Sequence, residues 1–252
     1  MCRVIAIMNQ KGGVGKTTTT VNLGHALALA GKKVTLLDMD PQGQVAISLG
    51  LKNDQSGLDR VLLEGDSLDD YLITARHNLD VVCAGTNLAD FEQVVAGGSS
   101  RGYTLRRAIE ASTLMECDFV LIDCPPSSGL LGINAMFAAD ELVIPVSGDY
   151  LSLQGLSRMM QILKRAEVVL GRSIRLWVVS TRMQLRRRLT EEVRLRILKY
   201  FPGRVLNTMI RENVSLAECP SFGKSVFEYK ENSVGAEDYQ SLAQDLLRGR
   251  TN

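Results

Sequence analysis

Chemistry in this sequence concentrates first in Asn9-Gln10-Lys11-Gly12-Gly13-Val14-Gly15-Lys16-Thr17-Thr18. Gly12, Gly13 and Gly15 let the backbone curl until successive N–H groups point inward as an anion nest. A helix starting near Thr17 adds its positive N-terminal end. Lys16 is then placed to reach the β- and γ-phosphates of a nucleoside triphosphate, and the Thr17 hydroxyl to ligate Mg²⁺. Lys11, Gly12, Gly13, Val14, Gly15, Lys16, Thr17 and Thr18 form the candidate nucleotide-contacting set. The pattern GxxxxGK[ST] is not met in full, because Gln10 occupies the first glycine position. A glycine-rich turn with an incidental lysine is the plainer alternative, and the surroundings of the loop weigh against it.

Two more acidic stretches share that setting. The apolar run Val34–Leu37 ends in Asp38-Met39-Asp40-Pro41-Gln42-Gly43, and Phe119–Ile122 ends in Asp123-Cys124-Pro125-Pro126. The second is a Walker B pattern, an apolar strand delivering an Asp to a Mg²⁺ shell. Acidic residues at strand ends also serve as helix caps. Three strand ends converging on one phosphate site favour the functional reading.

These residues need elements to carry them. Candidate strands are Val4–Met8, Val34–Leu37, Leu79–Cys83, Phe119–Ile122, Leu142–Val146 and Ile174–Val179, with helices beginning near Thr17, Asn87, Tyr103, Leu130, Leu153 and Thr190 and a last one over Ala236–Leu247. Near-continuous apolar strands alternating with helices predict an α/β fold: a mostly parallel sheet covered by helices on both faces. Ligands of such sheets collect beyond the carboxyl ends of the strands, where the three motifs lie. The chain has 252 residues, 45% of them hydrophobic and 23% charged, enough for a substantial core. With no repeat or Gly/Ser-rich linker, a single domain over 1–252 is expected. Five scattered cysteines form no CxxC pair, which suits a reducing cytoplasm better than a disulfide framework or zinc site. No signal peptide or membrane span is expected.

KGGVGKTT, DMDPQG and LIDCPPSSGLLGINA together resemble the ParA/Soj branch of the ParA/MinD deviant Walker ATPases, over nearly the whole chain. The resemblance implies a P-loop ATPase with ATP and Mg²⁺ as cofactors. It also implies that Lys11 crosses the interface of an ATP-bound sandwich homodimer to touch the partner's nucleotide. A cation supplied in trans ties nucleotide state to dimerisation. By the same likeness Asp40 positions the attacking water, Asp38 and Asp123 sit around Mg²⁺, and Gly12 marks the close approach between subunits. Lys11, Lys16 and Asp40 are thus the candidate catalytic residues. Hydrolysis is expected to be slow, since the loop offers no His or Glu as a strong base and phosphoryl transfer rests on positioning and electrostatics.

The last third is locally basic: from Arg172 to Arg211 eleven Arg or Lys face only Glu191 and Glu192. Such runs are usually solvated faces, but Arg forks suit phosphate oxygens. Soj-like proteins carry an Arg at the position of Arg186 that contributes to sequence-independent DNA binding. Candidate DNA contacts are Arg182, Arg186, Arg187, Arg188, Lys199 and Arg211. With about three phosphates neutralised per subunit, the log–log salt slope of a dimer would be on the order of −5. The chain departs from the family where Soj-like proteins read IPRNVRLSEAPS. Here Arg211 and Glu212 replace the proline and arginine, and Ser215 replaces a second arginine. Asn213 survives and is the candidate neighbour of the adenine.

A MinD-type membrane-cycling ATPase is the nearest rival. It would end in a basic amphipathic helix, whereas the stripe Ala236, Tyr239, Leu242, Ala243 and Leu246 looks core-facing and Glu237, Asp238 and Asp245 oppose an anionic membrane. An iron–sulfur reductase lacks its cysteines, a tyrosine kinase its tyrosine-rich tail, and a non-enzymatic module would require negligible hydrolysis. The chain begins at the first strand, as the short ParA form does. The resemblance implies a cytoplasmic, nucleoid-associated protein whose hydrolysis is stimulated by an adaptor. Its cargo would be a chromosome or plasmid held through a ParB-type adaptor, or a protein body such as a carboxysome or chemoreceptor cluster. Glu212 and Ser215 tilt the choice toward a protein body.

Overall fold

A computed structural model describes residues 2–52, 55–93, 98–127, 129–149, 151–184 and 187–252, with the side chains of 98, 99, 151–154, 188 and 189 outside the description. The strands are β1 (Arg3–Ile7), β2 (Val34–Asp38), β3 (Ile73–Arg76), β4 (Leu79–Val82), β5 (Phe119–Asp123), β6 (Glu141–Ser147) and β7 (Arg175–Thr181). The helices are α1 (Lys16–Leu29), α2 (Gln44–Ser48), α3 (Leu58–Leu63), α4 (Thr104–Glu110), α5 (Leu130–Ala138), α6 (Leu151–Leu170), α7 (Arg188–Tyr200), α8 (Val214–Glu218), α9 (Val226–Tyr229) and α10 (Val234–Arg248). The strands form one sheet in the order β3-β4-β2-β5-β1-β6-β7, parallel throughout except for the β3–β4 pair at one edge.

Strand alternation sorts the core into two halves. Val4 and Ala6 of β1 and Val120 and Ile122 of β5 pack on the side of α3 to α7, whereas Ile5, Ile7, Phe119 and Leu121 face α1, α2 and α10. At Gly24 an added Cβ would lie 2.6 Å from Leu36 Cδ2, so helix α1 lies too close to β2 for a larger residue there. The α10 stripe Ala236, Tyr239, Leu242, Ala243 and Leu246 is buried, as its spacing suggested. Among the described residues no helix is long and apolar enough to cross a membrane.

Every expected strand is present, but β3 is an addition. Its sequence, Ile-Thr-Ala-Arg, is half polar and only partly buried, as an edge strand paired on one side permits. The helix expected from Asn87 is a single 3₁₀ segment, Leu88–Glu92. Leu88 and Phe91, three residues apart, already bury both apolar side chains in that one tight turn.

Register explains why the motifs meet. In the parallel ladder Asp123 lies opposite both Ile7 of β1 and Asp38 of β2. The loop after β1, the acidic turn after β2 and the Walker B aspartate of β5 therefore leave the sheet at one level.

Candidate nucleotide site

The loop between β1 and α1 bends through two left-handed glycines, Gly13 (φ 71°) and Gly15 (φ 89°). Gly15 precedes α1, and no side chain caps that helix start, so its first amides stay open to an anion. Lys16 is buried, with its ammonium 3.4 Å from the Lys11 carbonyl and inside the curl of the loop. Val14 is buried and anchors the loop through its carbonyl, which accepts from Thr181 Oγ1 at 2.8 Å. Gly12 and Gly13 are exposed, and nothing lies within 4 Å of where a Gly12 Cβ would stand.

Behind the loop two carboxylates sit side by side. Asp123 accepts from Thr17 Oγ1 at 2.7 Å and from Thr20 Oγ1 at 3.0 Å, and it is fully buried. Burial pushes its carboxyl up to about 6, while the two threonines and Lys16 pull the other way. Burial, with repulsion from Asp123, drives Asp38 well above the ordinary carboxylate range. Asp38 also shapes its turn, accepting from the amides of Asp40 at 3.2 Å and Val45 at 3.0 Å. Asp40 is half-buried and lines the pocket, with one oxygen accepting from the Gln42 amide at 3.0 Å.

These groups fit a magnesium-bound triphosphate. A buried ammonium, an uncapped helix start and two left-handed glycines want an anion, and paired buried carboxylates beside Thr17 want a cation. Mg²⁺ takes one or two carboxylates and completes its shell with phosphate and water. A cage of three His, Cys, Asp or Glu is accordingly not required, and none occurs among the described residues. Thr17, Asp123 and Asp38 would hold the ion, and the Lys11–Thr18 loop the phosphates.

The pocket, of about 540 Å³, runs from Gly12, Lys16 and Asp40 to a wall made by Ile210–Asn213, Leu216 and Tyr239. Asn213 lines that wall, and its side-chain oxygen caps α8 by accepting from the Ser215 amide at 2.8 Å. Lys11 immediately precedes the exposed glycines of the loop, its ammonium ion-paired with Asp149 beyond the end of β6. Asp149 is in turn bonded by Ser147 Oγ at 2.6 Å.

The six candidate DNA residues divide. Arg187 and Lys199 are exposed, at the start of α7 and along it; Arg188 is described in its backbone alone, and Arg186 lies outside the described residues. The structure places Arg182 and Arg211 instead at the nucleotide pocket. Arg211 is held by Asp238 (Nη2 to Oδ1, 2.6 Å) and Glu237 (3.5 Å), which stabilises its positive form. Sequence reasoning passed over Asp149, Thr20 and Thr181. The rule that ligands collect past strand ends points to Asp149, and Thr20 lies one helical turn from Thr17, on the same face. The buried cysteines Cys2, Cys83, Cys124 and Cys219 are free thiols and act as core.

A parallel α/β sheet with a phosphate loop after β1 and a buried aspartate at the end of β5 defines a P-loop nucleotide hydrolase. Residues 2–176 match the AAA domain family model. The chain is 42% identical over 250 residues to the sporulation initiation inhibitor protein Soj of Bacillus subtilis (strain 168), covering 98% of each. It is 38% identical over 250 residues to the chromosome partitioning protein ParA of Caulobacter vibrioides (strain NA1000 / CB15N), covering 97% of this chain and 94% of the relative. A crystal structure of cobyrinic acid a,c-diamide synthase from Mycobacterium smegmatis with bound ADP and magnesium superposes with a TM-score of 0.85 at 29% identity, over 98% of this chain and 95% of that one. The chain belongs to the ParA/MinD family of P-loop ATPases. It is an ATP hydrolase that uses Mg²⁺.

Proposed function

We propose that this ATPase works in partitioning, as an ATP-switched homodimer that holds double-stranded DNA without sequence preference. The observation that carries the switch is the uncovered phosphate loop. Gly12 and Gly13 are exposed with open space beyond Gly12, and Lys11, the residue before them, is ion-paired with Asp149. A second copy docking there would cover the triphosphate and supply its own Lys11, which must first leave Asp149.

In the composite site the loop amides and Lys16 bind the β- and γ-phosphates, and Lys11 of the facing copy adds charge where negative charge develops. Asp40 orients the attacking water. Thr17, Asp123 and Asp38 hold Mg²⁺, which when bound neutralises phosphate charge. Asn213 and the Ile210–Leu216 wall border the adenine. The phosphate loop offers no His or Glu as a strong base, so turnover is slow until an adaptor stimulates it. The Caulobacter relative is named for chromosome partitioning, which favours a DNA cargo held through a ParB-type adaptor over a protein body. DNA contact falls to the Arg186–Arg188 cluster and α7, where Arg187, Arg196 and Lys199 are exposed.

Gel shift of an arbitrary duplex with ATP, with ADP and without nucleotide tests this. DNA should be retained only with ATP. Arg187→Glu with Lys199→Glu should abolish retention while sparing dimerisation. Equal retention in all three nucleotide conditions would contradict the switch.

A further inference from the structure

Outside glycine, only Asn78 and Arg182 among the described residues have positive φ, at 59° and 51°. Asn78 serves the β3–β4 turn, where asparagine is at home in this conformation. Arg182 follows β7, and L-residues with long side chains avoid the left-handed region unless their surroundings hold them there.

What holds it is the phosphate loop. Arg182 Nη1 donates to the Gly13 carbonyl at 3.0 Å, and a Cβ on Gly13 would lie 3.8 Å from the same nitrogen. The guanidinium thus lies across the loop at its exposed bend. Its other arm is 3.8 Å from a Glu212 oxygen, and Gln184 Nε2 donates to the second oxygen of that carboxylate. The backbone repeats the link, with Met183 N donating to Ile210 O at 3.0 Å and Glu212 N to Met183 O at 3.1 Å. Thr181 holds the next loop carbonyl, that of Val14. Two successive carbonyls of the phosphate loop are therefore engaged from the end of β7. Phosphates are bound through N–H groups, so any carbonyl turned into the cradle would repel them.

We propose that Arg182 is a positioning residue of the nucleotide site. It holds the Gly13 carbonyl away from the phosphates and, joined to Glu212, ties the phosphate loop to the wall at Ile210–Asn213. This rests on the reading of the pocket as the ATP site. Arg182 thereby serves the nucleotide rather than DNA.

The test uses the full chain, a fluorescent ATP analogue titrated with Mg²⁺, and melting curves without nucleotide. Arg182→Gly adopts the same φ without strain. Its nucleotide-free melting temperature should hold or rise, while the dissociation constant for the analogue increases about tenfold, the effect of one charged hydrogen bond. Arg182→Lys keeps a charge and a donor for Gly13 but cannot fork to Glu212, so it should lose roughly threefold. A purely structural role would lower melting temperature and affinity together, and that result would overturn the proposal. Wild-type affinity in the glycine variant, or in the lysine variant should the glycine variant not fold, would overturn it as well. A wild-type protein that fails to bind the analogue, or a Lys16→Ala variant that binds it normally, would instead overturn the reading of the ATP site.

Discussion

Replacing Asp123 with Asn should make the nucleotide-free protein more stable while removing its activity. Asp123 is fully buried beside Asp38, and its carboxyl is pushed up from an ordinary 3.8 to about 6. Between those two values the folded chain binds more protons than the unfolded one, so the stability contributed by this group falls as pH rises from about 4 to about 6. Roughly two pH decades at about 1.4 kcal/mol each give a cost of about 3 kcal/mol that is complete by neutral pH. Asn carries no charge to bury, and its amide still meets the Thr17 and Thr20 hydroxyls, which turn to donate or accept. At pH 7 without nucleotide, Asp123→Asn should raise the melting temperature by roughly 6–12 °C, and the gain should vanish near pH 4. With Mg²⁺ and ATP the order should reverse, because only the parent gains from the ligand. Phosphate release should fall by about two orders of magnitude. Calorimetry across pH, with and without nucleotide, reads all of this. A variant that melts below the parent at pH 7 would refute the reasoning that burial of this carboxylate carries a cost that a cation relieves.

Gly12→Val should fold and bind ATP within about twofold of the parent, since the space around a Gly12 Cβ is open within the chain, yet stay monomeric by sedimentation when saturated with nucleotide. Failure to bind nucleotide would show that Gly12 serves its own loop instead of a facing copy. Arg211→Ala should destabilise the fold by about 2 kcal/mol in urea denaturation, because it strands the largely buried Asp238 carboxylate. At saturating ATP, DNA retention by Arg211→Ala should be unchanged when measured well below its melting temperature.

The nucleotide half of the site was legible because its chemistry is local. Gly12 to Thr18 are consecutive, and Asp38, Asp40 and Asp123 each follow an apolar run that reads as a strand. Parallel register then does the assembly, placing Asp38 beside Asp123. What stayed hidden depends on side chains meeting across long separations. Nothing in the local sequence ties Lys11 to Asp149 or Arg182 to Gly13. Arg182 and Arg211 read as members of a basic run, because composition counts charges without their partners. In the fold, Glu212 and Asp238 pair with them at the edge of the pocket. Edge strand β3 was missed for a related reason, since a half-polar strand paired on one side carries little periodic signal.

The decisive measurement is the sedimentation of Asp40→Ala with ATP and Mg²⁺, beside Asp40→Ala combined with Lys11→Ala. If Asp40 orients the water and Lys11 completes the site of the facing copy, the single variant binds ATP, fails to hydrolyse it and sediments as a dimer. The double variant binds ATP and remains a monomer. A monomeric single variant saturated with ATP, or a double variant that dimerises equally well, would contradict a two-copy nucleotide site.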